Sequence, residues 1–122
     1  MKNILNMSNH TLTGEQIAEL KGYGYEIVEL SAEDKQRWSS LNPDNYEDVV
    51  YRIMEDSDTR YDVDCFHIAG FPPAVVLAVN TAFHLGKRSV YAYSERLSEE
   101  SLQPDGTVKK INVFKHLGFF NY

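Results

Sequence analysis

Ser8, Asn9, His10 and Thr11 form a polar run between an apolar stretch, Lys2 to Met7, and the start of a helical pattern. Two hydroxyls, an amide and an imidazole at a helix N-terminus can donate to phosphate oxygens, where the helix end favours negative charge. His10 adds a group that exchanges protons near neutral pH. The plainer reading of the same four residues is a polar loop that caps the helix. Farther along, Arg96, Lys115 and His116 supply cations, and Ser94 a hydroxyl, near the ends of two extended segments. A guanidinium or ammonium beside the first loop would offset charge on a phosphodiester in its transition state. Period-2 alternation puts Lys115 and His116 on opposite faces of one strand, so only one of them reaches a given pocket. Solvated surface charge is the alternative for each.

Gly70-Phe71-Pro72-Pro73 marks a third strand end. Its two prolines remove two N–H donors, which argues against a phosphate cradle of the P-loop kind. Phe71 could instead pack on a base, or the segment is a structural strand-helix turn. Other chemistries find no support. There is no Walker A or G-x-G-x-x-G run, no paired cysteines, no H-E-x-x-H and no G-x-S-x-G elbow. Asp62 and Asp64 make a D-x-D, a pair common by chance, so no metal site and no cofactor are expected. His67, inside a strand, and His84, inside an apolar helix, read as packed structural residues.

These side chains need elements to position them. Lys2 to Met7 reads as a buried first strand. Thr13 opens a helix, with Gln16 at capping-box spacing and Leu12 with Ile17 at staple spacing; Gly22 and Gly24 stop it. Tyr25 to Leu30 alternates as a strand, and Ser31 to Leu41 suggests a short helix carrying Trp38. A further helix starts at Asn42-Pro43, with Tyr46, Val49, Val50, Ile53 and Met54 on one face. Asp56 to Tyr61 reads as a polar loop, Val63 to Ala69 as a strand, and Ala74 to Leu85 as a helix apolar almost all round, covered on several sides, for example by a second subunit. Ser89 to Ser94 makes the fourth strand. Pro104-Asp105-Gly106 is a turn signal, and Val108 to Phe114 alternates again, giving a terminal β-hairpin with its last strand antiparallel. Strands alternating with helices imply one α/β domain over residues 1–122, of Rossmann-like type, with a mostly parallel sheet and flanking helices. In such sheets ligands bind beyond the carboxyl ends of the strands, where the three candidate segments converge.

Composition agrees with a single packed domain. The 122 residues are 43 % hydrophobic and 25 % charged, with 8 Tyr, 6 Phe and 1 Trp. A net charge of -6 argues against a binder of long nucleic acid, which presents a broad basic surface. It leaves room for a small anion held by a few local donors. Cys65 stands alone in an apolar run and reads as a core thiol in a reducing compartment. No run approaches the ~20 apolar residues of a membrane span, and Met1 to Met7 is too short for a signal peptide. A cytoplasmic location without membrane contact is the expectation.

Two stretches resemble a known group. Ile4-Leu5-Asn6-Met7-Ser8-Asn9-His10-Thr11-Leu12-Thr13 with Glu15-Gln16 resembles the "LNLSNHPLT-x-EQ" opening of small CRISPR-associated proteins. Leu102 to His116, with Pro104-Asp105-Gly106-Thr107-Val108-Lys109-Lys110 and Val113-Phe114-Lys115-His116, resembles their ending, and Trp38-Ser39 fits between. That group is similar to CARF-type domains and is counted among the CRISPR ring nucleases. The resemblance implies metal-independent cleavage of a cyclic oligoadenylate, most often cyclic tetra-adenylate, that shuts off type III CRISPR antiviral signalling. It also implies a homodimer with the ring lying across the two-fold axis. For that reaction the strand-end positions of Ser8, Asn9 and Thr11 suit them to hold the nucleotide backbone, with Gly70, Phe71, Ser94 and His116 beside them. Arg96 or Lys115 would offset phosphate charge, and His10 would move a proton or orient the phosphate. The doubled proline at Pro72-Pro73 departs from the glycine-bearing turn expected of the group. It favours an alternative, a module of the same fold that binds or sequesters the ring without cutting it. A third possibility is an α/β dimerisation protein with no nucleotide ligand.

Overall fold

A computed structural model describes residues 1–122. The chain runs β1 (Lys2–Met7), α1 (Gly14–Gly22), β2 (Tyr25–Glu29), α2 (Ala32–Ser39), α3 (Tyr46–Tyr61), β3 (Cys65–Ile68), α4 (Pro72–His84), β4 (Arg88–Leu102), β5 (Val108–Asn121). It is an α/β fold with one five-stranded mixed sheet, in the order β2-β1-β3-β4-β5. β1 pairs in parallel with β2 and β3, β3 pairs in parallel with β4, and β5 returns antiparallel to β4.

Alternation sends successive side chains to opposite sides of this sheet. Ile4, Cys65 and Val90 face α1 and pack with Leu12, Leu20, Tyr25 and Phe119. Leu5, Met7, Phe66 and Ile68 point the other way, onto Trp38 of α2, Val50, Ile53 and Met54 of α3, and Ala74, Ala78 and Ala82 of α4. Each large apolar side chain so buried contributes roughly 1.5–3 kcal/mol. Cys65 belongs to the α1 side, and burial pushes its thiol pKa up.

The local signals explain most boundaries. Thr13 and Gln16 form a reciprocal capping box at the start of α1. Pro72 and Pro73 occupy the first turn of α4, where the helix needs no N–H from them. Gly70 has φ +151°, and a Cβ there would lie 2.8 Å from Trp38 Nε1. The turn is thus built around the indole, which donates from Nε1 to the Ala69 carbonyl at 2.9 Å.

Four expectations are corrected. Asp56 to Tyr61 is the last part of α3 and not a loop. The apolar face continues through Ser57, small enough to be buried with Ile53 and Met54, and the helix stops only at Asp62 in the left-handed region. Asn42-Pro43 makes a turn ahead of that helix, with Asn42 Oδ1 accepting from the N–H groups of Asp44 and Asn45. β4 is fifteen residues long rather than ending at Ser94, because β5 pairs with it all the way to Leu102↔Val108. Lastly, His84 is exposed at the end of α4 against Phe83 rather than packed inside an apolar helix. No helix is long and apolar enough to cross a membrane.

Candidate functional site

Strand order reverses between β1 and β3, since the chain goes outward to β2 on one side and to β4 on the other. At such a point the loops leaving adjacent strands part and open a crevice beyond their carboxyl ends. A cleft of about 330 Å³ lies there on the α1 side, lined by His10, Thr11, Leu12, Thr13, Gln16, His67, Ala69, Tyr91, Ala92 and Ser94. Larger hollows exist elsewhere, notably one of about 550 Å³ between α2 and the end of α3. Its wall includes an ion-paired set in which Arg37 bridges Glu33 and Asp34.

The floor of the cleft rests on Asn6. Its Nδ2 donates to the His10 carbonyl at 3.0 Å and to Glu29 Oε2 at 3.1 Å. Both partners only accept, which fixes the amide orientation and turns Oδ1 the other way. Ser8 Oγ donates to that Oδ1 at 2.6 Å, and His67 Nδ1 stands 2.9 Å from it. An amide oxygen only accepts, so the hydrogen of neutral His67 is on Nδ1 and Nε2 carries the lone pair. Burial and the nearby His10 imidazole lower the His67 pKa from 6.5 to about 4, so the ring is neutral at pH 7. Nε2 has no hydrogen-bond partner in the protein. Among fully buried side-chain polar atoms only Asp58 Oδ1 lacks one, so Nε2 retains access to the cleft.

The residues singled out from sequence divide by what this arrangement does with them. His10, Thr11 and Ser94 meet at the cleft although more than eighty positions separate the loop from the strand. His10 is held by its backbone, its N–H donating to Ser8 Oγ at 3.2 Å, and its exposed ring makes no hydrogen bond. Ser8 is fully buried with its hydroxyl hydrogen committed to Asn6, so it shapes the loop from beneath. Asn9 is exposed and accepts from Ser39 Oγ at 3.0 Å, tying the loop to α2. Gly70 packs on Trp38, and Phe71 meets Tyr46 edge-on at 6.1 Å on the opposite side of the sheet. Neither lines the cleft.

The hairpin cations are sorted by strand parity. A bulge shifts the β4–β5 register between Tyr93 and Ser94, so that Ser94 pairs with His116 and Leu117 is left over. Ser94, Arg96, His116 and Phe114 therefore share the α1-side face, with Lys115 opposite Glu95 on the other. Only Arg88 to Val90 of β4 pair with β3, so the rest of the ribbon projects past the carboxyl end of the sheet. That places Arg96 about 7 Å along the strand from Ser94, on the same face. His116 is turned into α1: Nε2 donates to Glu19 Oε2 at 2.6 Å, and Gln16 Nε2 approaches Nδ1 at 3.5 Å. Glu19 Oε1 also accepts from the Phe119 N–H at 3.3 Å, which locks the root of the ribbon to the helix. Asp62 and Asp64 diverge, the first toward Lys87 and the second accepting from the Asn3 N–H.

Asn6 and His67 were not among the sequence candidates. Their signal was a polar residue in each of two otherwise apolar strands, Ile4-Leu5-Asn6-Met7 and Cys65-Phe66-His67-Ile68. Buried polar groups need partners, and the parallel register sets Asn6 directly beside His67. No curated protein and no solved structure matches the chain. A family model described as the uncharacterized protein MJ1673 family matches residues 2–120, nearly the whole sequence, and the chain belongs to that family.

Proposed function

We propose that this protein is a ring nuclease: it binds a cyclic oligoadenylate, of which cyclic tetra-adenylate is the leading candidate, and opens it without a metal, ending type III CRISPR signalling in the cytoplasm. The substrate comes from the resemblance of the opening and closing stretches to the CRISPR-associated group. The observation that carries the reading is the meeting of His10, Thr11 and Ser94 at one cleft on the carboxyl side of the sheet. The strand order and the parallel pairings of β1 to β4 support a Rossmann-like, CARF-type reading of the fold.

In this mechanism a ribose 2′-oxygen attacks its own adjacent phosphorus while the 5′-oxygen leaves. The products are a 2′,3′-cyclic phosphate and a 5′-hydroxyl, so the proton lost at O2′ is balanced by one gained at O5′. The exposed His10 ring serves as the carrier of that proton. Thr11 and Ser94 hold phosphate oxygens, and Arg96 offsets the charge of the phosphorane. A cleft of about 330 Å³ accommodates one nucleoside-sized group rather than a whole ring. Two clefts across a homodimer axis would match a ring of two-fold symmetry.

A second reading, sequestration without cleavage, is favoured by one feature. Lys115 faces away from the cleft and His116 is engaged by Glu19, which leaves few cations for the transition state. Incubation of purified protein with cyclic tetra-adenylate in EDTA, with products resolved by chromatography, separates the two. Appearance of a 2′,3′-cyclic phosphate supports the nuclease. One intact ring bound per dimer at enzyme excess supports sequestration. Absence of any binding leaves an α/β dimerisation protein and removes both nucleotide readings.

A further inference from the structure

We propose that His67 is a specificity residue that selects an adenine base, its Nε2 accepting a hydrogen bond from the exocyclic amino group. The inference rests on the cyclic oligoadenylate reading and names what its cleft would recognise. The side-chain hydroxyls around the cleft, Thr11, Thr13 and Ser94, can rotate to donate or accept and so discriminate poorly. His67 cannot. Asn6 Oδ1 claims the Nδ1 hydrogen, and Asn6 is itself fixed by Glu29 and the His10 carbonyl. The lone pair on Nε2 is thereby presented to the cleft from a residue only 3 % exposed.

The surroundings suit a base better than a phosphate. Leu12, Ala69 and Ala92 line the same floor, and Phe119 packs edge-on against the imidazole at 5.4 Å. A neutral acceptor in such a place repels the oxygens of a phosphate and welcomes an N–H donor. The 6-amino group of adenine is such a donor, whereas guanine presents a carbonyl oxygen at the equivalent position. A ring nitrogen that binds a proton only near pH 4 is also a weak general base at neutral pH, which separates its role from that of His10. A site built around a buried acceptor rejects a ligand lacking the donor, because the acceptor is then stranded.

The test uses two cyclic tetranucleotides carrying 2′-fluorine in place of the 2′-hydroxyl, one built on adenine and one on unsubstituted purine. Neither can be cleaved, and neither offers a 2′-hydroxyl to His67. By calorimetry the wild-type protein should bind the adenine ring at least about tenfold more tightly, and the preference should vanish in His67→Leu. Equal affinities in the wild type would overturn the role of His67 while leaving ring binding intact. Failure to bind either ring would instead remove the oligoadenylate reading, and this inference with it. Should His67→Leu not fold, the wild-type comparison stands, joined by the ¹⁵N resonance of Nε2. That resonance should move when the adenine ring is added and stay in place with the purine ring; the reverse would refute the assignment.

Discussion

Asn6 Oδ1 lies 2.9 Å from His67 Nδ1, and the two residues face each other across the β1–β3 pairing in the parallel register. The contact does more than satisfy two buried polar groups. Because the amide is oriented by a carboxylate and a carbonyl on its far side, it dictates which imidazole nitrogen bears hydrogen. A loop, two strands and a neighbouring acid are thus joined through one side chain, and the polarity of the cleft floor follows from it.

The pH dependence of stability should carry the mark of this burial. His67 titrates near pH 4 in the folded chain against 6.5 as its reference, so the unfolded chain binds more protons between those values. The contribution is fully present above pH 6.5 and is lost as pH falls toward 4, on the order of 3 kcal/mol in all. Glu29, which reaches the ring only through Asn6, and the exposed His10 are the other titratable groups facing it. Urea melts at pH 7 and pH 4.5 should show a wild-type loss that His67→Gln largely lacks. A variant with the same pH slope as wild type would contradict the buried neutral ring.

Asn6→Leu keeps the side-chain size and removes every polar link. It strands the Ser8 hydroxyl and the His67 Nδ1 hydrogen, each worth about 1–3 kcal/mol when buried without a partner. A loss of at least about 2 kcal/mol in the urea-derived stability is expected. A loss under about 0.5 kcal/mol would mean that water replaces Asn6 freely.

Much of the fold was legible because local chemistry and long-range packing agreed. The Thr13–Gln16 capping box, the apolar β1 and the Pro104-Asp105-Gly106 turn each specify their element without help from the rest of the chain. Asp56 to Tyr61 misled because its surface is polar, and the helical stripe is carried there by Ser57, a residue with no hydrophobic signature. The length of β4 was hidden for a different reason. Ser98 to Ser101 has no apolar alternation of its own and is a strand because Lys109 to Asn112 pairs with it. His10 and Thr11, in the polar run after β1, and Ser94, where the apolar part of β4 gives way to polar residues, could be singled out from the sequence, and the structure brings them to one cleft. The site was not legible at Asn6 and His67, whose meaning depends on which strands become neighbours. Nor could parity alone choose between Lys115 and His116, since the bulge at Leu117 and the hold of Glu19 decide it.

Gly70→Ala tests the turn that Trp38 shapes. The added methyl meets Nε1 of the indole at 2.8 Å, and φ +151° is a conformation that alanine resists. Overpacking of this kind costs about 1–3 kcal/mol. Because the indole donates to Ala69, its displacement should also change the emission of the single tryptophan, Trp38. Unchanged fluorescence together with unchanged stability would show that the turn adjusts without strain.

Glu19→Ala should loosen the root of the ribbon. Both carboxylate oxygens are used, one by His116 and the other by the Phe119 N–H and the exposed Tyr23 hydroxyl, so removal leaves the two β5 donors without partners at the α1–β5 junction. The expected loss is about 1–3 kcal/mol. Amide exchange should accelerate at Phe119 and its β4 partner Ala92 before it does in β1 or β3. Uniform acceleration across the sheet would show that the ribbon does not open separately.

Arg96 and Lys115 offer a matched comparison, since both are exposed cations on the same ribbon, one residue pair apart. Only Arg96 shares a face with Ser94. If phosphate charge is offset from that face, Arg96→Ala should slow single-turnover cleavage of cyclic tetra-adenylate by about tenfold or more, near 1.4 kcal/mol in the barrier. Lys115→Ala, which removes the same charge from the opposite face, should change the rate by less than about twofold, through general screening alone. Equal effects from the two substitutions would place the ligand across the edge of the ribbon rather than over one face. A larger effect from Lys115 would require the ring to approach from the side of α3 and α4, and the cleft at His10 would then be the wrong place to look for the reaction.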